Sequence, residues 1–336
     1  MSPHDHEHQL VACSPAWCAD TDEEFRYCGW MDDPVAVART VNDIERLQGE
    51  DTDPARVVTM LRGADNDEDV LFWKAEEKVL GSIQPSWNQG NVGTCVSFGW
   101  GRGCNDLIIM MVADGLIEWP GAHVATEPIY GGSRVEVGGG SIGGDGSVGA
   151  WAAKWLEQWG TLLRKTYGSH DLTTYSTQKS REWGRSGVPN DLEPMAKQYP
   201  LKKVLQVTQA TEAWTLLGNR HSLPICSNVG FESPLEEGFC DPKGSWNHCM
   251  VIRGRVMAKR RGSLVRAYPC QNSWGDYIKG EPFFTDRNGN KVELPKGCFL
   301  MEDSVLQRIL KQRDSFVAAD QRGWAPKPKT PLDWYA

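Results

Sequence analysis

Four side chains have the types and surroundings that acyl-transfer chemistry needs: Gln89, Cys95, His248 and Asn272. A thiol attacks only as thiolate, and the start of a helix favours that form through the positive end of its dipole and its free amide donors. Cys95 lies at the start of TCVSFGWGRGCNDLIIMMVAD (94–114). There Val96, Trp100, Cys104, Leu107 or Ile108, and Met111 recur every three or four positions, which predicts a helix with the thiol in its first turn. A base must take the thiol proton and a third group must hold that base in one tautomer; His248 and Asn272 have the chemistry for these roles. Gln89 precedes Cys95 across the loop GNVGT, where Gly90 and Gly93 permit a tight reversal. Its side-chain NH2 and the backbone N–H of Cys95 form a candidate oxyanion hole.

The spacing of the base and its partner carries a geometric expectation. If HCMVIRGRV and SLVRAYPC pair as a hairpin about AKRRGS, facing residues have numbers summing to about 520, the value for 248 and 272. Directly opposed residues on antiparallel strands hold their Cβ atoms about 5 Å apart. The imidazole and the carboxamide are then expected to meet without any wider tertiary coincidence.

The segments QGNVGTCVSF, NHCMVI and QNSWG, in that order, resemble the three signature segments of the papain-like cysteine peptidases, the C1 peptidase family. The resemblance covers roughly residues 70 to 310. It implies a cysteine-type peptidase working through a thioester, with Cys95 as nucleophile, His248 as base, Asn272 orienting the base and Gln89 in the oxyanion hole. It further implies that Trp274 covers the Asn–His hydrogen bond. The run GGDG (143–146) would offer backbone to an extended substrate, so Gly93, Gly144, Asp145, Gly146 and Asn247 are expected to line the substrate cleft. The chain departs from the family at Val92, where a cysteine is usual, so a common disulfide is missing, and at Val96, where a tryptophan is usual.

The elements around these residues divide the chain. Residues 1–68 are acidic, with weak helical pieces at Val35–Leu47 and Pro54–Leu61, and read as an N-terminal extension: a pro-segment, a lid or a docking arm. Gly99, Gly101 and Gly103 each cost about 1 kcal/mol relative to alanine inside a helix, so the Cys95 helix must be held by packing, with another backbone close against it. After the glycine-rich YGGSRVEVGGGSIGGDGSVG, the stripe Trp151, Trp155, Trp159 marks a second helix ending at Gly160. That glycine run lacks the Lys-Ser/Thr of a phosphate loop. From Leu201, short β-rich runs follow: KKVLQV, LPICSNVGF, HCMVIRGRV, SLVRAYPC and CFLME. The expected class is α+β, in a papain-like two-lobed arrangement: a helical lobe over 69–200 carrying the nucleophile helix, packed against an antiparallel sheet or barrel over 201–313. Residues 314–336 are expected to form a Pro-rich tail, extended over the surface or docked on a partner.

Composition limits the function classes. With 336 residues, 40% hydrophobic and 24% charged, the chain can bury a sizeable core. A net charge of −8 argues against a broad nucleic-acid surface. The cluster Arg253, Arg255, Lys259, Arg260, Arg261 and Arg266 reads as a solvated hairpin. No apolar run approaches membrane-spanning length and the N-terminus lacks a secretory pattern, so a cytosolic, virion or other assembly-associated protein is expected over a secreted one. His4, His6, His8, Cys13, Cys18 and Cys28 match no common zinc spacing, and no cofactor or metal is expected. The cysteines other than Cys95 read as structural. The expected partner is a peptide or protein substrate, with a protein assembly partner conceivable through the extension or the tail. The alternatives are acyl-enzyme chemistry on a cell-wall peptide, acyl transfer to an amine, and a papain-fold component of a virion or secretion machine.

Overall fold

A computed structural model describes residues 28–49, 67–232 and 236–327. The helical layer contains α1 (Pro34–Gly49), α2 (Phe72–Leu80), α3 (Cys95–Ala113), α4 (Glu127–Gly132) running into a π turn at Ser133–Val137, α5 (Gly149–Gln158), α6 (Thr177–Ser186) and the single turn α7 (Glu193–Ala196). The second layer is built on an eight-stranded sheet. Its antiparallel path runs β10 (Lys291–Glu293), β9 (Phe283–Asp286), β7 (Gly254–Arg260), β8 (Ser263–Gln271), β6 (Pro242–Ile252) and β5 (Leu223–Phe231). A short β1 (Val70–Leu71) adds to β7, β11 (Cys298–Glu302) adds to β8, and β2 (Thr166–Tyr167) pairs with β3 (His170–Asp171) as a separate ribbon. Helices α8 (Ala210–Gly218) and α9 (Asp303–Leu310) flank this sheet. The protein is therefore α+β, with a helical lobe facing a sheet lobe.

Helix α3 is the spine of the contact between the lobes. Sixteen of its 19 residues are buried, as its nearly all-round apolar sequence requires. Its glycines let the sheet come close: a Cβ at Gly99 would lie 2.6 Å from the Cys249 sulfur, and one at Gly103 would lie 2.9 Å from the Pro224 ring. A bulkier residue at either position would push α3 off β6 or β5. On α5, Trp155 stacks on Trp159 with centroids 5.0 Å apart, and its ring lies where any side chain at Gly132 would go, so the tryptophan stripe packs helices together.

Two expectations about charge and chain ends are corrected. The basic segment 253–266 is not a solvated hairpin throughout, because Arg253, Arg255 and Arg260 are buried. Arg253 donates to Asp106 at 2.8 Å through two nitrogens, to Glu76 at 3.1 Å and to Gln271 at 2.8 Å, while Arg102 meets Glu76 at 2.8 Å. Burial alone would push the Glu76 carboxyl up, but Arg102 and Arg253 outweigh it and hold it below its usual range. The cluster is balanced, two cations against two carboxylates, and it fastens α2, α3 and the break between β6 and β7. Arg253→Met should lower unfolding free energy in urea by about 3–5 kcal/mol, because it strands buried carboxylates. A loss under about 1 kcal/mol would show that the cluster does not fix this junction.

The residues after 313 are not a loose tail as far as Lys327. Asp314 is buried, β12 (Phe316–Gln321) pairs antiparallel with β4 (Leu201–Gln206), and Trp324 stacks on Tyr199 at 4.1 Å. The run FVAA (316–319) supplies consecutive apolar strand residues that the proline-rich ending masked in the sequence. Residues 28–49 likewise belong to the body, with α1 tied to α5 by a 2.7 Å ion pair between Asp43 and Lys154. The expected helix at Pro54–Leu61, with His4, His6, His8, Cys13 and Cys18, falls outside the described residues. Among those residues, no helix is long and apolar enough to cross a membrane.

Candidate active site

The start of α3, strand β6 and the loop after β8 converge at the interface of the lobes. Cys95 is the first residue of α3, where the N–H groups have no intrahelical carbonyl partner. Thr94 precedes the helix, and its carbonyl accepts from the Phe98 N–H and the Ser97 hydroxyl. Cys95 is fully buried, in one apolar cluster with Trp30, Val148 and Cys249. Progress along α3 places Gly103 against Pro224 and Gly99 against Cys249 and Met250, so one further turn back brings Cys95 to the level of His248 on β6.

His248 and Asn272 meet: Nε2 lies 2.7 Å from the Asn272 Oδ1. The route differs from the expected hairpin. β7, not β6, forms the tight hairpin with β8, pairing Val256 with Ala267, and β6 pairs with β8 only through Val251–Gln271 and Ile252–Cys270. The register is thus two to three residues off the one that sets 248 opposite 272. The chain breaks strand geometry at Arg253, whose side chain joins the buried ion cluster, and Asn272 reaches back diagonally from just beyond the end of β8.

The hydrogen bonds fix the orientation of each amide. The Ser273 N–H, a donor only, lies 2.6 Å from one Asn272 side-chain atom, which must therefore be the oxygen. That oxygen also faces His248, so Nε2 carries the proton and Nδ1 is left as an acceptor. Nδ1 is buried and bonded to nothing among the described residues. The Trp274 ring lies over the imidazole with centroids 4.5 Å apart, and is backed by Trp246 and Tyr277. Gln89 is held equally firmly: its Nε2 donates to the Val92 carbonyl at 2.9 Å and its Oε1 accepts from the Ser273 hydroxyl at 2.6 Å.

Ser273, absent from the residues that the sequence predicts for the site, braces both Asn272 and Gln89. Its place between Asn272 and Trp274 in QNSWG was the available signal. Tyr175, whose hydroxyl donates to the Gln89 carbonyl at 3.0 Å and lies 3.1 Å from the Thr94 hydroxyl, gave no local signal. Asp145 turns inward, and its carboxylate accepts from the Gly93 N–H at 3.2 Å. That contact links the Gln89–Cys95 loop to the glycine-rich loop in a chain whose Val92 rules out the usual disulfide.

A segment of the chain itself crosses the cleft. Gly29 and Trp30 donate backbone N–H groups to the Asn247 carbonyl at 3.1 and 3.0 Å. The Gly29 carbonyl accepts from the Ser147 N–H at 2.8 Å, and the Met31 N–H donates to the Ser147 carbonyl at 3.0 Å, which makes a parallel bridge. The residue that offers both backbone groups is therefore Ser147, one beyond the expected GGDG run, while Gly146 packs against Gly29 and Met31. Gly29 passes so close to Gly93 that a Cβ there would lie 2.0 Å from the Gly93 oxygen. Trp30 anchors the strap through an Nε1 hydrogen bond of 2.7 Å to Asp314, which also accepts from the N–H groups of Gly149 and Ala150 at the start of α5. Burial pushes the Asp314 carboxyl up to about 6, against the pull of these donors.

Burial lowers the His248 imidazole to about 4, against the opposing effect of the Asn272 hydrogen bond. The sign of the linkage follows. Above about pH 6.5 His248 is neutral whether folded or unfolded; below it the unfolded chain takes up a proton that the folded chain refuses, so stability is lost as pH falls toward 4. His221, lowered to about 4 chiefly by burial, acts in the same direction, and Asp314 acts in the opposite one. Unfolding free energy should fall less steeply between pH 6.5 and 4.5 in His248→Gln than in the native chain, by up to about 1.4 kcal/mol per pH unit. Equal slopes would mean that the imidazole is hydrated in the folded state.

No family model matches the chain, and no curated protein matches it. Among solved structures it is similar to xylellain, a cysteine protease from Xylella fastidiosa, at 14% identity and a TM-score of 0.48, over 77% of this chain and 87% of that one. It is also similar to digestive procathepsin L 3 of Tenebrio molitor larval midgut, at 10% identity and a TM-score of 0.45, over 86% and 94% of the two chains. A third is proCathepsin B S9 from Trypanosoma congolense, at 12% identity and a TM-score of 0.45, over 80% of each.

Proposed function

We propose that this chain is a papain-like cysteine peptidase, held latent by its own residues 28–31. The observation that carries the reading is the His248–Asn272 hydrogen bond of 2.7 Å, which leaves Nδ1 as the unprotonated ring nitrogen on the strand facing the start of α3. In the working state Cys95 gives its proton to that nitrogen, and the thiolate attacks the carbonyl of a peptide lying along Ser147 and Asn247. The oxyanion is stabilised by the Cys95 N–H and the Gln89 amide, the amine leaves with the proton from His248, and water then cleaves the thioester. Asn272 keeps the imidazole in the required tautomer, and Trp274 shields their bond from water.

The strap supports latency on two grounds. It uses the backbone groups of Ser147 and Asn247 that an extended substrate would need, and it is fastened to Asn247, the neighbour of His248, whose own burial makes an imidazolium costly. Its parallel direction along Ser147 is opposite to that of an antiparallel substrate. The test is labelling with an epoxide thiol trap, followed by peptide mapping, in the full-length chain whose strap is displaced by Gly29→Val, with and without Cys95→Ala. Labelling that survives the substitution would remove Cys95 from the role.

A further inference from the structure

A cavity of about 380 Å³ opens on the far side of the glycine-rich loop, lined by Tyr130, Arg134, Gly144, Asp145, Arg181 and Arg185 among others. Arg134 is buried and committed to the loop, donating to the carbonyls of Ile142, Gly144, Gly146 and Gly184. Arg181 and Arg185 differ. They sit one turn apart on α6, facing the same way, and neither pairs with a carboxylate among the described residues. By contrast Arg164, Arg220, Arg260, Arg261 and Arg287 each meet one, as expected in a chain of net charge −8. Arg181 donates to the Asn91 carbonyl and side-chain oxygen at 2.8 and 3.0 Å, which keeps one face of its guanidinium fixed at the rim. Asp145 is the one carboxylate among the lining residues, and it is turned toward the Gly93 N–H.

This cavity adjoins the cleft. Its wall at Gly144 and Asp145 is two to three residues from Ser147, a span of roughly 7–10 Å along extended backbone. An extended peptide paired with Ser147 would therefore carry a side chain two or three residues away past its mouth. We infer that Arg181 and Arg185 select a peptide substrate with an aspartate or glutamate at that position, the cavity receiving the acidic side chain. The inference rests on the peptidase reading and specifies its substrate class. Arg185, exposed and unengaged, supplies the free guanidinium fork, and Arg181 the oriented one.

The test uses the full-length chain carrying Gly29→Val, which displaces the strap, and the same chain with Cys95→Ala for binding without turnover. Fluorescent peptides present a single glutamate walked along the sequence, each with a glutamine counterpart. At one position glutamate should raise kcat/KM about tenfold over glutamine, the size of a charge-assisted hydrogen bond at a partly exposed site, and the gain should shrink in 0.5 M salt, roughly. Anisotropy titration of the Cys95→Ala chain should give a similar ratio. Arg185→Gln should remove the preference while leaving glutamine peptides unaffected, and Arg185→Lys should keep part of it. Absence of a glutamate preference in both cleavage and binding overturns the inference. Cleavage that persists in that case leaves the peptidase reading standing, whereas glutamate-selective binding without cleavage of any peptide overturns the peptidase reading and retains the cavity. A loss in Arg185→Gln that is equal for all peptides would mark a structural role and also overturn it.

Discussion

Alanine at position 95 is expected to lower turnover by about four to six orders of magnitude in the strap-released chain, the range found when the nucleophile of a triad is removed. The size follows from the roles: without sulfur no thioester forms, and the remaining donors at Gln89 and the helix start can only polarise a carbonyl for water. The same substitution should abolish trap labelling at position 95, read by peptide mapping, although other cysteines remain. Burial pushes the thiols of Cys104, Cys226, Cys240 and Cys270 well up, and that of Cys298 to about 12, so they offer almost no thiolate near neutral pH. Turnover within about tenfold of the parent would end the assignment.

Valine at position 29 should have the opposite effect, raising trap labelling of Cys95 and peptide turnover in the full-length chain. Gly29 lies where a Cβ would be 2.0 Å from the Gly93 oxygen, and the groups in conflict are backbone, so relief requires the strap to move. An overpacked contact costs about 1–3 kcal/mol, which shifts the balance between closed and open cleft by about five- to a hundred-and-fiftyfold. The gain should come without loss of the sheet lobe, checked by urea unfolding, since the strap lies outside that sheet. Trp30→Ala is the companion variant, because it removes the anchor to Asp314 without a clash. Unchanged labelling in both variants would show that the strap does not control access to the thiol.

Much of the arrangement was legible in the sequence because its causes are local. The 3.6-residue periodicity after Thr94 announced a helix whose all-round apolar face had to be buried, and the β-rich runs after Leu201 announced the sheet. Gln89, Cys95, His248 and Asn272 could be proposed because the chemistry of acyl transfer restricts which residue types serve, and short motifs preserve their order. The 248–272 spacing predicts that His248 meets Asn272, and the two do meet, but the strand in the tight hairpin with β8 is β7 and not the one that carries His248. The error arose at Arg253, where a buried ion cluster with Asp106 and Glu76 breaks the run into two strands and shifts the register.

The sequence by itself determined the α+β class, the helix that starts at Cys95 and the identities of the candidate site residues, since these depend on residue type and near-neighbour spacing. Only the tertiary structure decided that residues 28–31 lie across the cleft, that Ser147 offers the pairing backbone, that Asp314 and β12 belong to the body, and that Arg181 and Arg185 face a cavity beside the site. Each of those facts joins segments far apart in the chain, where contact depends on how whole layers pack, and no local pattern of side chains encodes which distant backbone will arrive.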